Sequence, residues 1–328
     1  MHFTGKMKHI KFGRLALPFL KLIRWPNLLI VIATQYMVMY AVIGRVYAAY
    51  GIEPALGPLL FFILVLVTVI IAAAGYIIND YFDLRTDRIN KPESVVIGKY
   101  FPRRMAIKLH IVLNSIAIAA GFYLSLAAGS FRLWLLFPMM TILLWFYSER
   151  YKKRILSGNL AVAFMSAMVV IVVWLFEFFA LRQQPGKFMT VYTQLGLISR
   201  VIMAYAVFAF ILTLVREIIK DAEDVEGDAA TDCRTLAVVL GIGYSRNLSM
   251  GLLIVTLILT ITGCWFLIET SRIVPAAWFL LFVIVPVIYL IYKVNRAGLK
   301  EHFHRIGNQL KLVMLSGILG LFVLSLYL

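Results

Sequence analysis

Two segments of the chain, 141 residues apart, carry three aspartates each at the same spacing. They are Asp80, Asp83 and Asp87 in 79–87, and Asp221, Asp224 and Asp228 in 220–228. Positions i, i+3 and i+7 of an α-helix fall within about 60° of one face and extend about 10 Å along it. Three like charges on one face repel one another, so a bound cation is the expected compensation. The repeated triad therefore predicts a metal site.

The side chains around the triads indicate which metal and which ligand. Carboxylates without accompanying His or Cys suit Mg²⁺ or Ca²⁺ rather than zinc or iron. Mg²⁺ commonly binds one or two carboxylates and completes its coordination with water and substrate phosphate. Basic residues near both triads are suited to phosphate oxygens: Arg85, Arg88 and Lys91 beside the first, and Arg216, Lys220 and Arg234 beside the second. The two triads together predict a Mg²⁺–diphosphate clamp.

The elements that position these residues are predicted to be membrane helices. The chain has 328 residues, is 62% hydrophobic and has a mean hydropathy of +0.90. Runs of about 20 apolar residues are long enough to cross a bilayer core of about 30 Å. We predict nine: 28–49, 58–80, 105–128, 131–148, 158–180, 194–219, 246–268, 273–293 and 309–328. The fold class is therefore all-α, a polytopic membrane protein with nine transmembrane helices.

The distribution of charge predicts the orientation of the chain. Net charge is +16, and with nine helices 26 of the 32 Lys and Arg fall on the side that holds the N-terminus. The positive-inside rule places that side in the cytoplasm, which predicts an inner or plasma membrane protein. Basic loops facing anionic membrane lipids explain this charge, and nucleic-acid binding is not expected. Residues 1–24, basic and partly amphipathic, are predicted to lie along the cytoplasmic interface.

No linker divides the remainder, so 25–328 is predicted to be a single transmembrane domain. Both triads follow an even-numbered run, the second and the sixth, and therefore emerge on the same face. They are expected to face each other across a central cavity whose walls are transmembrane helices. The long loops that follow them, 88–104 and 229–245, are moderately apolar and are predicted to form short helices over that cavity.

These segments resemble the UbiA superfamily of intramembrane prenyltransferases. NDYFDLRTDRINKP is similar to its NDxxDxxxD signature, and REIIKDAEDVEGD resembles its second motif in the KDxxDxxGD form. RWPNLL before the first helix and YSERYKKRILSGN after the fourth are further matches. The resemblance extends from about residue 20 to 245, and nine helices is the usual number in that family.

The resemblance implies a reaction and a role for each matching residue. The enzyme would remove diphosphate from an allylic polyprenyl donor and join the prenyl chain to a lipophilic acceptor. The six aspartates would hold Mg²⁺, directly or through water. Asn79 would assist at the metal–diphosphate site, and Asn27 would line the donor site. Four basic residues would contact diphosphate oxygens: Arg88, Lys91, Lys152 and Lys220.

The acceptor and the outcome of the reaction stay open at the level of sequence. The motifs look most like the branch that transfers geranylgeranyl to geranylgeranylglyceryl phosphate in ether-lipid synthesis. Prenylation of aromatic rings in ubiquinone and menaquinone synthesis uses the same two motifs. A terpene cyclase on this scaffold would ionise the same donor without an acceptor. A divalent-cation transporter is the alternative of another class, although transport sites usually lie nearer the bilayer midplane.

Several ionisable or aromatic side chains outside the triads carry weaker expectations. Glu177 lies in the fifth run, about a turn from its end, and is expected to reach out to the interface. His302 and His304 are expected to be solvated loop residues before the last helix. Tyr76 and Tyr147 lie close to motifs and are candidates for stabilising a prenyl cation through their ring faces.

Overall fold

The computed structural model describes residues 15–231 and 233–327, and these are almost entirely helical. Nine helices in these ranges are long and apolar enough to cross a membrane. We number them α1 Trp25–Ala48, α2 Gly57–Asn90, α3 Arg103–Ala127, α4 Phe131–Lys153, α5 Ser157–Arg182, α6 Pro185–Glu223, α7 Ile242–Glu269, α8 Ile273–Asn295 and α9 Lys300–Ser325. In the described ranges no strand forms beyond an isolated bridge between Ile97 and Phe101. The predicted all-α fold with nine spans is confirmed.

Two helices extend well beyond the apolar runs that predict them. α2 continues ten residues past position 80 and ends at Asn90, so the whole first triad lies on it. α9 begins at Lys300 rather than 309, which places His302 and His304 inside a helix instead of a loop. A hydropathy run ends where charged residues begin, but backbone hydrogen bonds of a helix continue through them. The polar ends of both helices therefore continue beyond the apolar runs as regular helix.

The second triad is not carried by one helix, contrary to the prediction. α6 ends at Glu223, and Asp224 is the residue at its C-terminal cap. Asp228 lies on a separate short helix, Val225–Ala230, so the spacing of a single helix does not determine its position relative to Asp221. The chain bends here because backbone groups at 224 and 227 bind a side chain of α2, as described below. A further short helix, Leu236–Leu240, precedes α7.

Two apolar clusters hold the bundle together. The larger is formed mainly by α1, α2, α5 and α6, with contributions from α3 and α4. The second joins α6 to α7, α8 and α9 through residues such as Val215, Leu253, Val287 and Leu310. α6 belongs to both clusters and so connects the two halves of the bundle. Near the N-terminus, a short helix Ala16–Leu22 packs on the end of α2; residues 1–14 of the predicted interfacial segment lie outside the described residues.

Glu177 is fully buried, so the expectation that it reaches the interface was wrong. Its two carboxylate oxygens accept the backbone N–H groups of Ala55, at 2.7 Å, and Leu56, at 3.0 Å. Those residues immediately precede α2, where N–H groups have no partner within the helix. The negative charge of the carboxylate also interacts favourably with the positive end of the α2 helix dipole. Glu177 therefore fixes the N-terminus of α2 on the face opposite the triads.

Candidate functional site: an acidic and basic cluster at the mouth of an apolar cavity

The first triad lies on the last turns of α2 and is bound by side chains from α1 and α4. Arg24, at the start of α1, donates from Nη2 to Asp80 Oδ1 over 2.8 Å. Asn79 donates to Asp83 Oδ2 over 2.8 Å, and Lys152 forms an ion pair with the other oxygen of Asp83. Part of the negative charge of this triad is thus compensated by protein cations. This compensation was not predicted, because both partners are distant in sequence.

Lys152 reaches Asp83 because the chain between α4 and α5 folds tightly against itself. It lies in a 3₁₀ turn, Tyr151–Lys153, at the end of α4. A Cβ placed on Gly158, in the first turn of α5, would lie 2.6 Å from the Lys152 Cα atom. That distance is shorter than van der Waals contact, so only glycine permits this approach. Gly158 therefore sets the position of the lysine that faces the first triad.

The aspartates of the second triad are bound by side chains from other parts of the chain. Asn159 is buried on α5 and donates from Nδ2 to Asp221 Oδ2 over 2.8 Å. Lys91 lies just after α2 and pairs with Asp224, with its Nζ 3.0 Å from Oδ1. Burial raises the pKa of Asp228 to about 6, and repulsion from Asp224 acts in the same direction. Each aspartate of this triad therefore has a different environment.

The segments that carry the two triads are in direct contact. The backbone N–H of Gly227 donates to Asn90 Oδ1 over 3.1 Å, and Asn90 Nδ2 donates to the Asp224 carbonyl over 3.3 Å. One helical turn earlier on α2, the Thr86 hydroxyl lies 3.0 Å from that of Thr231. With the Lys91–Asp224 pair, these contacts join the end of α2 to the end of α6. The expectation that both triads lie at one face and close together agrees with this geometry.

A cavity of about 300 Å³ opens below the cluster. Polar side chains line the end nearest the triads: Arg24, Asn27, Tyr76, Asn79, Tyr147 and Lys220. A second cavity of about 510 Å³ shares lining residues such as Ile30, Val169 and Met314 with the first. It is almost wholly apolar and extends between α6, α7 and α9 towards Leu267. The predicted central cavity is thus polar at one end and shaped for an apolar chain at the other.

The residues fit a divalent cation that is shared with a phosphate ligand. Among the described residues, no three acidic, His or Cys side chains converge closely enough to hold a metal by themselves. Asn79 Oδ1 is buried and has no hydrogen-bond partner in the described part of the chain, so one hard oxygen is available. Arg24 and Asn79, which line the cavity, bind Asp80 and Asp83, and Lys220, which also lines it, directly precedes Asp221. This donor set suits Mg²⁺ that completes its coordination with water and diphosphate oxygens.

The structure places the other predicted residues as follows. Asp87 lies among the charges of Asp80, Asp224, Arg24 and Lys220. Arg88 is exposed and lies beside Gly98, outside the lining of the two cavities.

Three polar side chains of the cluster had no role assigned from the sequence. Arg24 and Asn159 belong to segments that match the family pattern, and that match was the available signal for them. Asn90 had no such signal, because its partners Asp224 and Gly227 lie more than 130 positions later.

Similarity to known proteins agrees with the fold and the motifs. The UbiA prenyltransferase family matches residues 37–322. Digeranylgeranylglyceryl phosphate synthase of Methanosphaera stadtmanae is 30% identical over 300 residues, which cover 91% of this chain and 95% of that protein. The enzyme of the same name from Saccharolobus solfataricus is 31% identical over 262 residues, 80% of this chain and 83% of that protein.

Solved structures share the fold at low sequence identity. A UbiA homolog from Aeropyrum pernix K1 aligns with a TM-score of 0.59 at 17% identity, covering 88% of this chain and 98% of that one. A UbiA homolog from Archaeoglobus fulgidus bound to DMAPP and Mg²⁺ aligns with a TM-score of 0.53 at 16% identity, covering 93% and 99%. The nine helices, the paired motifs and the extent of the family match lead to one conclusion: the chain is an integral membrane enzyme that belongs to the UbiA prenyltransferase family.

Proposed function

We propose that this enzyme transfers a polyprenyl group, geranylgeranyl in the first instance, from its diphosphate to geranylgeranylglyceryl phosphate in a Mg²⁺-dependent reaction. One observation carries the proposal: the segments that carry the two triads are in contact, and side chains that bind or adjoin their aspartates line the polar end of a cavity whose remainder is apolar. A prenyl diphosphate has the same two-part character, with a highly charged head and a hydrocarbon tail. The names of the relatives support the choice of acceptor.

The proposed donor site assigns roles to the residues of the cluster. The six aspartates would hold Mg²⁺ directly or through water, and the metal would neutralise charge on the departing diphosphate. Lys91, Lys152 and Lys220 would bind diphosphate oxygens, with Arg88 joining them from its exposed position. Asn79 would contribute its unpartnered amide oxygen, and Asn27 would line the start of the tail channel.

In the proposed reaction, the allylic C–O bond breaks with its electron pair remaining on diphosphate. The acceptor hydroxyl oxygen forms the new C–O bond, and its proton leaves to a neighbouring carboxylate or to the diphosphate. Lys91 and Lys152 pair with aspartates in this structure, and from there they would reach the negative charge that develops on the diphosphate. The apolar cavity would keep water away from the allylic carbon, while Tyr76 and Tyr147 line its polar end.

The proposal also includes orientation. We place the triads at the cytoplasmic face of the plasma membrane, with residues 1–24 along the interface and 25–328 as one catalytic domain. The excess of Lys and Arg on that side supports this arrangement. Protease accessibility of the 229–245 segment in sealed vesicles of known sidedness tests it.

An acceptor screen tests the proposed reaction. Purified enzyme, geranylgeranyl diphosphate and Mg²⁺ are combined with geranylgeranylglyceryl phosphate, hydroxybenzoate or dihydroxynaphthoate, and products are identified by mass spectrometry. We expect the diether phosphate. Prenylated aromatic rings would assign the enzyme to quinone synthesis, a cyclic hydrocarbon without acceptor would make it a cyclase, and Mg²⁺ uptake into proteoliposomes without donor would favour a transporter.

A further inference from the structure

Outside the clamp, the same cavity is lined by a second pair of basic residues on facing helices. Arg216 lies on α6 and Lys311 on α9, and both line the cavity of about 300 Å³ together with Lys220. Neither takes part in the contacts that join the triads. α6 and α9 are packed against each other through Val215 and Leu310, among others, so these two side chains come from neighbouring walls.

The two residues lie at the same depth in the membrane. His304 Nδ1 and Glu223 Oε1 are 3.1 Å apart, so these two residues lie at the same height along the neighbouring helices α9 and α6. Lys311 is seven residues after His304, and Arg216 is seven residues before Glu223 on a helix of opposite direction. Two helical turns correspond to about 10 Å along each axis. The pair therefore lies about two turns deeper than the polar rim of the cavity.

The charge at this depth is only partly compensated. Arg216 Nη1 donates to Glu217 Oε1 over 2.8 Å, which balances one of the two cations. Lys311 donates to the neutral amide oxygen of Asn308 over 3.4 Å and pairs with no carboxylate among the described residues. Arg216, Lys220 and Lys91 are close enough to act on Lys311 through their charges, against the single opposing charge of Glu223. A cation within the hydrocarbon region is costly unless an anion accompanies it.

Lys311 also marks an opening of the cavity. Its side chain is exposed although it lines the cavity, and Leu315, one turn deeper on α9, is exposed and lines it too. Asn27 and Val31 of α1 line the same cavity. A lipid in the bilayer could therefore present its head group to Lys311 without passing through the metal cluster.

We propose that Arg216 and Lys311 bind the phosphate of the acceptor lipid and so select a phosphorylated acceptor over a neutral one. The inference rests on the proposed function and names the part of the acceptor that this site recognises. A phosphate monoester carries nearly two negative charges at neutral pH, which matches a lysine that pairs with no carboxylate among the described residues and its arginine neighbour. The clamp holds the group that leaves, and this pair holds the group that stays in the product.

The test compares two acceptors that differ only in the phosphate, geranylgeranylglyceryl phosphate and geranylgeranylglycerol, in neutral detergent. Lys311→Met removes the charge with little change in length, and Lys311→Arg retains it. We expect Lys311→Met to raise KM for the phosphorylated acceptor at least about tenfold, because a charge-assisted hydrogen bond is lost. KM for the donor and turnover of the neutral acceptor should not change, and Lys311→Arg should restore most of the preference. Arg305→Gln removes an exposed charge from the same helix and is the matched control.

Each outcome separates this inference from the proposed function. If wild-type enzyme produces no diether phosphate, the proposed function fails. If it does, and Lys311→Met lowers the use of both acceptors equally, the phosphate site is wrong and the proposed function stands. An effect of Lys311→Met that appears only in vesicles rich in anionic lipid, and vanishes in neutral detergent, would assign the site to bulk lipid head groups and overturn the acceptor assignment.

Discussion

The N–H of Gly227 donates to the Asn90 side chain over 3.1 Å, so the end of α2 binds the turn between the second and third aspartates of the other motif. A Cβ on Gly227 would lie closer to Asn90 than van der Waals contact allows. We therefore predict that Gly227→Ala separates the two triads and lowers kcat at least about tenfold, the effect of a misplacement of roughly 1 Å.

The control for this prediction is Gly243→Ala on α7, where an added Cβ meets nothing within 4 Å. It should leave activity unchanged. If Gly227→Ala retained full activity while remaining folded, close contact of the motifs would not be required for the reaction.

Asn159 positions Asp221 through a single buried hydrogen bond of 2.8 Å. In Asn159→Ala, the Asp221 carboxylate loses this partner, and we expect the Mg²⁺ concentration for half-maximal activity to rise about tenfold or more. Donor binding at saturating Mg²⁺ should change less. Asn247→Ala removes an exposed amide from α7 and should have no effect. An unchanged Mg²⁺ requirement in Asn159→Ala would show that Asp221 does not need this bond.

Metal binding should weaken as pH falls through the range where Asp228 takes up a proton. Burial, followed by the charge of Asp224, raises the pKa of Asp228 to about 6. The proton and the metal compete for this carboxylate, so affinity is full well above pH 6 and declines as the pH falls through 6. Mn²⁺ binding measured from about pH 5 to pH 8 should show this decline. In Asp228→Asn, Mn²⁺ should bind more weakly at every pH, and its affinity should depend less on pH. A pH profile equal to that of wild type would contradict the role of Asp228 as the titrating metal ligand.

Glu177 provides a prediction about stability rather than catalysis. It caps α2 on the face opposite the triads, with both oxygens bound to backbone N–H groups. Glu177→Gln replaces one acceptor by a donor that faces an N–H, so we expect a loss of about 1–3 kcal/mol in stability. Tm in detergent should fall while KM for Mg²⁺ and donor stays constant. A change in metal requirement without a change in Tm would contradict the structural role.

The parts of this site that sequence could predict are those that depend on local geometry. Helical spacing and apolar runs predicted nine spans and two triads at one face. The same reasoning was wrong for 224–228, because the break after Glu223 depends on Asn90, a residue of another helix. It was also wrong for Glu177, since hydropathy indicates depth in the membrane but not which backbone groups lie nearby. Distant partners, such as Arg24, which donates to Asp80, can be identified only once the helices are assembled.

A double-mutant cycle tests the central claim, that the two triads form one site. Diphosphate release from geranylgeranyl diphosphate in the presence of acceptor and Mg²⁺ is measured for wild type, Asp83→Asn, Asp224→Asn and the double variant. We predict that each single variant loses at least about a hundredfold in kcat and that the double variant loses little more, because residues that act as one unit are not additive. Losses that multiply, or a single variant with unchanged release, would contradict a shared diphosphate clamp.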